Sequence, residues 1–201
     1  MQALFAITRD SLSEFLARWY GPPDRTPTLP NAAVHLPPPL REWYVLTSRY
    51  STPVTFQNTF PGPAEIEEKD GRIVFWVENQ AVYEWGVDPD DDDPMVYERA
   101  TAEGEPWHAT GVQLSAFLLT VAVFEAIMSA PHHALREARS PAELNSALGA
   151  LQPLPVPGPM LDGQLYANEH VLAFVASDGK PGETPTSWTY LAARDPKHLN
   201  P

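Results

Sequence analysis

Hydrophobic and polar positions change period several times along the chain, and those changes mark its elements. Ser11-Leu12-Ser13-Glu14 has the form of a capping box, the serine accepting from the third helical amide and the glutamate reaching back. Leu12, Phe15, Leu16 and Trp19 recur at helical spacing before Gly21-Pro22-Pro23, which predicts a helix of about ten residues. Leu36-Pro37-Pro38-Pro39-Leu40 admits two readings, a polyproline ligand or the pre-set first turn of a helix. The helix is the better one, because Arg41-Glu42-Trp43-Tyr44-Val45-Leu46 continues it. Residues 55–60, bracketed by prolines, read as a loop or short strand.

The period then shortens. Residues 65–68 and 72–77 flank Asp70-Gly71, the signature of a hairpin turn. Residues 73–77 show no polar alternation, as expected of a strand covered on both faces. After a corner at Glu78-Asn79-Gln80, Val82, Tyr83 and Trp85 form the next strand, and residues 94–99 a further one. Thr110-Gly111-Val112-Gln113 is a second possible capping box, opening a long helix through Ala130 that is apolar on nearly all faces. Ser140-Pro141-Ala142-Glu143 is a third, opening a helix to about residue 151. Residues 153–159 read as a stiff proline-rich connector, 164–168 and 170–176 as strands around a tight turn, 177–185 as a polar loop, and 188–192 as a last strand. This order predicts an α+β fold with a mainly antiparallel sheet flanked by helices. Residues 1–152 are expected to form one α+β domain, with 153–201 a connector and C-terminal β extension packed on it.

Charge changes the picture more than composition does. Of the 201 residues, 26 are acidic and 13 basic, a net charge of −13. Residues 61–110 alone hold 14 acidic and 3 basic side chains, so one quarter of the chain carries most of the excess. Such a field disfavours nucleic acid phosphates and attracts a basic partner. The chain has no cysteine, which removes disulfides, thiolate metal sites and cysteine nucleophiles and is compatible with a reducing cytoplasm. MQALFAITRD lacks a basic segment followed by a long apolar one, so no secretory signal is expected and the expected location is cytoplasmic. Residues 112–130 contain Gln113, Thr120 and Glu125 without flanking basic anchors, and read as a core helix, not a membrane span.

Candidate chemistry is sparse. Asp88, Asp90, Asp91, Asp92 and Asp93 invite a calcium reading, but the glycine, the terminal glutamate spacing and the flanking helices of a calcium loop are missing. His132 and His133 are adjacent and point apart, without a third ligand at helical spacing, which makes them surface residues and not a zinc site. His108, beside Trp107, has no nucleophile near it in sequence. Gly-x-Ser-x-Gly, a phosphate-cradling glycine loop and His-Glu-x-x-His are all missing. The expectation is therefore a non-catalytic binding protein with no cofactor and no metal. Glu84, Asp88, Asp90, Asp91, Asp92 and Asp93 would supply attraction, and Trp85 or Tyr97 desolvated contact.

A strand closing on Val77-Glu78-Asn79-Gln80, the strand Val82-Tyr83-Glu84-Trp85-Gly86-Val87, an Asp-rich break and Asp93-Pro94-Met95-Val96-Tyr97 follow one another in order. Trp107 and the apolar helix over 114–128 complete the series. The series resembles the SUKH superfamily, which takes in the yeast cell-wall assembly regulator and many bacterial proteins. The family's run is a strand ending Glu-x-Gln, a tryptophan strand, an acidic or polar break, then Asp-Pro-Pro-Val; Met95 stands here for the second proline. The match covers residues 10–130 and rests chiefly on 71–130. It implies a sheet flanked by helices and a binding role. Bacterial members are largely immunity proteins that neutralise toxins, often nucleases, whose basic surfaces an acidic partner can mask. The eukaryotic relatives imply the alternative, a regulatory or scaffolding module that binds a host protein or peptide.

Overall fold

The computed structural model describes residues 4, 10–32, 34–157, 163–178 and 186–199. They belong to two units, residues 16–118 and residues 1–15 with 119–201. Among the described residues no helix is long and apolar enough to cross a membrane.

In residues 16–118, β1 (Glu67–Lys69), β2 (Arg72–Val77), β3 (Tyr83–Val87), β4 (Met95–Ala100) and β5 (His108–Gln113) form one antiparallel sheet, each strand beside the next in sequence. Asp70 (φ 52°) and Gly71 (φ 73°) both take left-handed backbone, which is the two-residue turn that Asp-Gly predicts. The β2–β3 ladder shifts register between Val74 and Trp76. This bulge adds one residue, so the consecutive rings of Phe75 and Trp76 both reach Phe117, at 6.0 and 5.9 Å. The unbroken apolar run in β2 thus has a second cause besides burial on both faces.

Two helices precede this sheet. α1 (Ser11–Tyr20) has the predicted length of 10 residues, but it begins at Ser11, one position before the expected box would start it. At its start the Asp10 carbonyl accepts from Glu14 N (3.0 Å) and from Ser13 Oγ (2.9 Å). α2 (Pro38–Thr47) opens on the prolines as predicted, and buries Leu40, Trp43 and Tyr44. Trp43 stacks on Phe60 at 4.7 Å, and Phe60 meets Phe75 at 5.8 Å, so an aromatic line ties α2 to β2.

The long helix α3 (Leu114–Met128) starts later than predicted. Thr110-Gly111-Val112-Gln113 is the end of β5, not a capping box. Gly111 sits at φ 79°, where the β4–β5 register shifts between Met95 and Tyr97. Thr110 Oγ1 donates to Val96 O (2.8 Å) and accepts from Val112 N (3.2 Å), which holds that irregularity. The cap of α3 comes instead from the segment before β4. Leu114 N donates to Pro94 O (2.8 Å) and Ser115 N to Asp93 Oδ1 (2.9 Å). The helix interior is as predicted: its side chains from Phe117 to Ile127 are buried, including Thr120 and Glu125.

In residues 119–201, β6 (His132–Ala138), β7 (Gln152–Pro157), β8 (Gln164–Ala167), β9 (Val171–Asp178) and β10 (Thr186–Ala193) form a second antiparallel sheet in the order β6-β10-β9-β8-β7. At the start of α4 (Pro141–Leu148) Ser140 Oγ accepts from Glu143 N at 3.3 Å, the serine half of the third predicted box, while Glu143 Oε2 reaches one residue beyond the cap and accepts from Arg139 N at 2.7 Å. It ends at Leu148, short of the predicted residue 151. Leu148, Val171, Ala173, Val175, Leu191 and Ala193 form one core cluster, and Phe174 of β9 meets Phe124 of α3 edge-on at 5.3 Å.

The α+β class with antiparallel pairing is what the pattern predicts; the C-terminal strands form a sheet of their own. A boundary after residue 152 falls inside β7. The proline-rich connector is, up to Pro157, an edge strand, where a missing amide is tolerated. Residues 158–159 of that connector and 179–185 of the predicted loop lie outside the described residues. β6 has no counterpart among the predicted strands, because HHALREA carries too little apolar alternation to read as one.

Candidate partner-binding surface

Strand parity sorts the expected contact residues. In β3, Trp85 and Val87 point into the core while Glu84 and Gly86 point to the opposite face. Trp85 is 1% exposed, packs on Trp76 at 4.4 Å, and donates from Nε1 to Glu98 Oε2 at 3.1 Å. It is a core residue and offers no contact to a partner. Tyr97 stands opposite Gly86 in the β3–β4 ladder, half-buried, with the Arg72 guanidinium 3.9 Å above its ring. That face is taken by Arg72.

Glu84 is also withdrawn from the surface, at 4% exposed. Its Oε1 accepts from Arg99 Nε at 2.8 Å, directly across the ladder, and its Oε2 lies 3.4 Å from Lys69 Nζ. Arg99 continues the network to Asp70 Oδ2 at 2.6 Å, and its guanidinium lies 4.3 Å over the Trp107 ring. Burial works against the charge on Arg99, but the hydrogen bonds and fields of Asp70 and Glu84 together hold it above its ordinary value. Gly86 is what lets Trp107 settle there. A Cβ at Gly86 would lie 3.0 Å from Trp107 Cη2, 3.1 Å from Arg72 Cβ and 3.2 Å from Ile73 O. Lys69, Asp70, Arg72, Arg99 and Trp107, none of them foreseen as part of the site, thus absorb Glu84 and Tyr97 into a packed, charge-balanced face.

The acidic loop itself is fixed at both ends. Asp88 Oδ2 pairs with Arg72 at 3.2 Å, and Asp88 Oδ1 accepts from Asp90 N at 3.1 Å. At the other end the two oxygens of Asp93 take Ser115 N (2.9 Å) and Ser115 Oγ (2.7 Å) at the start of α3. A carboxylate there also faces the positive end of the helix dipole. Between these anchors Asp90, Asp91 and Asp92 are exposed, and among the described residues their side chains form no ion pair or hydrogen bond. Of the expected acidic contacts these three stand free at a held tip. The large apolar side chains exposed nearest to them along β3 are Val82 (50%) and Tyr83 (39%), at the strand's opposite end.

The same unit contains a cleft of about 350 Å³ lined by prolines and aromatics, among them Pro30, Trp43, Tyr44, Phe60, Pro61 and Pro63. Three of its polar side chains are committed to backbone. Tyr44 Oη donates to Pro61 O at 2.7 Å, Thr47 Oγ1 to Trp43 O at 2.8 Å, and Ser48 Oγ to Val45 O at 2.8 Å. Burial, reinforced by the charge of Glu65, pushes the Tyr44 hydroxyl well above the ordinary phenol value. No titratable groups converge in the cleft as general acid and base. Among the described residues no cluster of three or more His, Asp or Glu side chains could hold a metal ion. His132 opens β6, and His133 beside it points to the other face, as the sequence reading expected of adjacent residues.

No family model, curated protein or solved structure matches this chain.

Proposed function

We propose that the chain is a non-catalytic, cytoplasmic binding protein of the immunity type, neutralising a toxin domain with a basic, substrate-holding surface. The observation that carries this reading is the Asp90-Asp91-Asp92 tip, exposed and unpaired, on a loop held by the Arg72–Asp88 pair and the Asp93–Ser115 cap. An acidic tip anchored at both ends, in a strongly negative segment, steers a basic partner and has less entropy to lose on binding than an untethered loop. Tyr83 and Val82 are the better candidates for desolvated contact, since Trp85 is in the core and Tyr97 is covered by Arg72. The likeness of residues 71–130 to the SUKH pattern supports the same reading.

The test is co-expression with any toxin domain that a gene beside this chain's own encodes. Growth protection together with a salt-sensitive 1:1 complex is expected; a chain that neither protects nor co-purifies sinks the reading. The proline- and aromatic-lined cleft, with Leu29 exposed at its edge, favours a second reading as a peptide-binding regulatory module. In that case proline-rich peptides should perturb Trp43 fluorescence, and the aspartate tip should be irrelevant to binding.

A further inference from the structure

The two edges of the second sheet are built differently. β7 carries Pro153, Pro155 and Pro157, alternate positions with no amide to offer a further strand. β6 has no proline, and its backbone forms no hydrogen bond beyond its ladder with β10 among the described residues. Among the described residues of 119–201 the exposed large apolar side chains are Leu135 (55%) and Tyr190 (37%). They stand directly opposite each other in the β6–β10 ladder. His133 and Glu137 flank Leu135 on the same face, both exposed.

We infer that β6 pairs antiparallel with β6 of a second copy of this chain, about a two-fold axis at Leu135, joining two five-stranded sheets into one. The choice of a second copy rests on the strand's self-complementarity. With Leu135 opposite its own copy, His133 falls opposite Glu137 on each side of the axis, and the apolar pair Leu135–Tyr190 meets its duplicate across it. A two-residue slip one way sets Leu135 against Glu137 and His133 against Arg139. The opposite slip sets Leu135 against His133 and Glu137 against Pro131. A one-residue slip puts the two copies' faces on opposite sides. Arg136, on the other face, falls opposite Ala134 of the copy and keeps its bonds to Leu199 O (3.1 Å) and Ala147 O (3.4 Å) of its own chain, so no like charges meet there.

Sedimentation velocity over a micromolar concentration series should show a species of twice the 22.3 kDa chain mass. Leu135→Arg sets like charges on the axis and should weaken the dimer by roughly tenfold or more, with the far-UV circular dichroism unchanged. His133→Glu and Glu137→Lys should each weaken it, and the double variant should restore it. Because the chain has no cysteine, Leu135→Cys should cross-link under mild oxidation, whereas His133→Cys should not. A chain that stays monomeric throughout overturns the inference. So does a dimer that survives Leu135→Arg and gives no cross-link at position 135.

Discussion

Replacing Glu84 by Gln separates structural from free charge within the acidic segment. The carboxylate is 4% exposed and paired to Arg99 at 2.8 Å and Lys69 at 3.4 Å. Breaking a fully buried pair costs about 3–5 kcal/mol, because the remaining charge is stranded. Here neither partner is fully stranded. Arg99 keeps Asp70 at 2.6 Å and the Trp107 ring, and the Lys69 side chain is 46% exposed, so water takes over part of its solvation. We therefore expect a loss of about 2–3 kcal/mol, below the buried-pair range. Exposed, unpaired Asp90, Asp91 and Asp92 changed together to Asn should instead stay within about 0.5 kcal/mol of the wild type per site, with any shift towards stability as repulsion is relieved. Urea unfolding followed by tryptophan fluorescence reads this directly, since Trp43, Trp76, Trp85 and Trp107 all lie in residues 16–118. A Glu84→Gln cost under about 0.5 kcal/mol, or a triple-Asn cost as large as that of Glu84→Gln, would refute the division.

Four further outcomes follow from named contacts. Gly86→Ala drives a methyl against Trp107, Arg72 and the Ile73 carbonyl, and should cost about 1–3 kcal/mol in the same unfolding assay. Asp93→Ala removes the cap of α3 and should cost about 0.5–2 kcal/mol, with Asp93→Asn recovering part of it. Tyr44→Phe deletes the bond to Pro61 O and should cost about 1 kcal/mol; in the wild type, alkaline difference spectroscopy should find one tyrosine that ionises only with unfolding. The Asp24 carboxyl is held below its ordinary value chiefly by the Ser51 hydroxyl and amide, so its folded-state preference for the charged form is present at neutral pH and lost as pH falls through that lowered pKa. Ser51→Ala should raise the Asp24 pKa towards the ordinary value by NMR titration.

Elements whose signal lies in contiguous residues were legible in the sequence. The Asp70-Gly71 turn, the proline start of α2, the Ser140 cap and the apolar α3 are each dictated locally. What failed were signals supplied from elsewhere in the chain. Thr110-x-x-Gln113 has the letters of a capping box, yet α3 is capped by Asp93 and Pro94, so those residues were left free to extend β5. The strand β6 shows almost no apolar alternation because it is an edge, and its pairing partner β10 lies some fifty residues on, a separation that no local pattern reports. The burial of Glu84 was within reach: it alternates with core-facing Trp85, and Arg99 is the cation its hairpin brings opposite it. Reading parity across β3 and β4, instead of charge along the chain, would have withdrawn Glu84 and Trp85 from the contact set.

The split of charge along β3 also fixes how binding should divide between rates. The aspartate tip follows the C-terminal end of β3 and Tyr83 stands at its start, about 15–20 Å apart along an extended strand. A standard interface spans that distance, so one partner can cover both. Exposed charges act over a Debye length before contact and lose most of their worth once water is excluded around better-paired groups, so they belong to the association step. An aromatic ring contributes only after it is desolvated, and so belongs to dissociation. Neutralising Asp90, Asp91 and Asp92 should therefore lower the association rate and flatten its salt dependence while leaving dissociation nearly unchanged. Tyr83→Ala should do the reverse. If both sets of changes acted on the same rate constant, the tip and the ring would not be parts of one surface, and the partner would bind at only one end of β3.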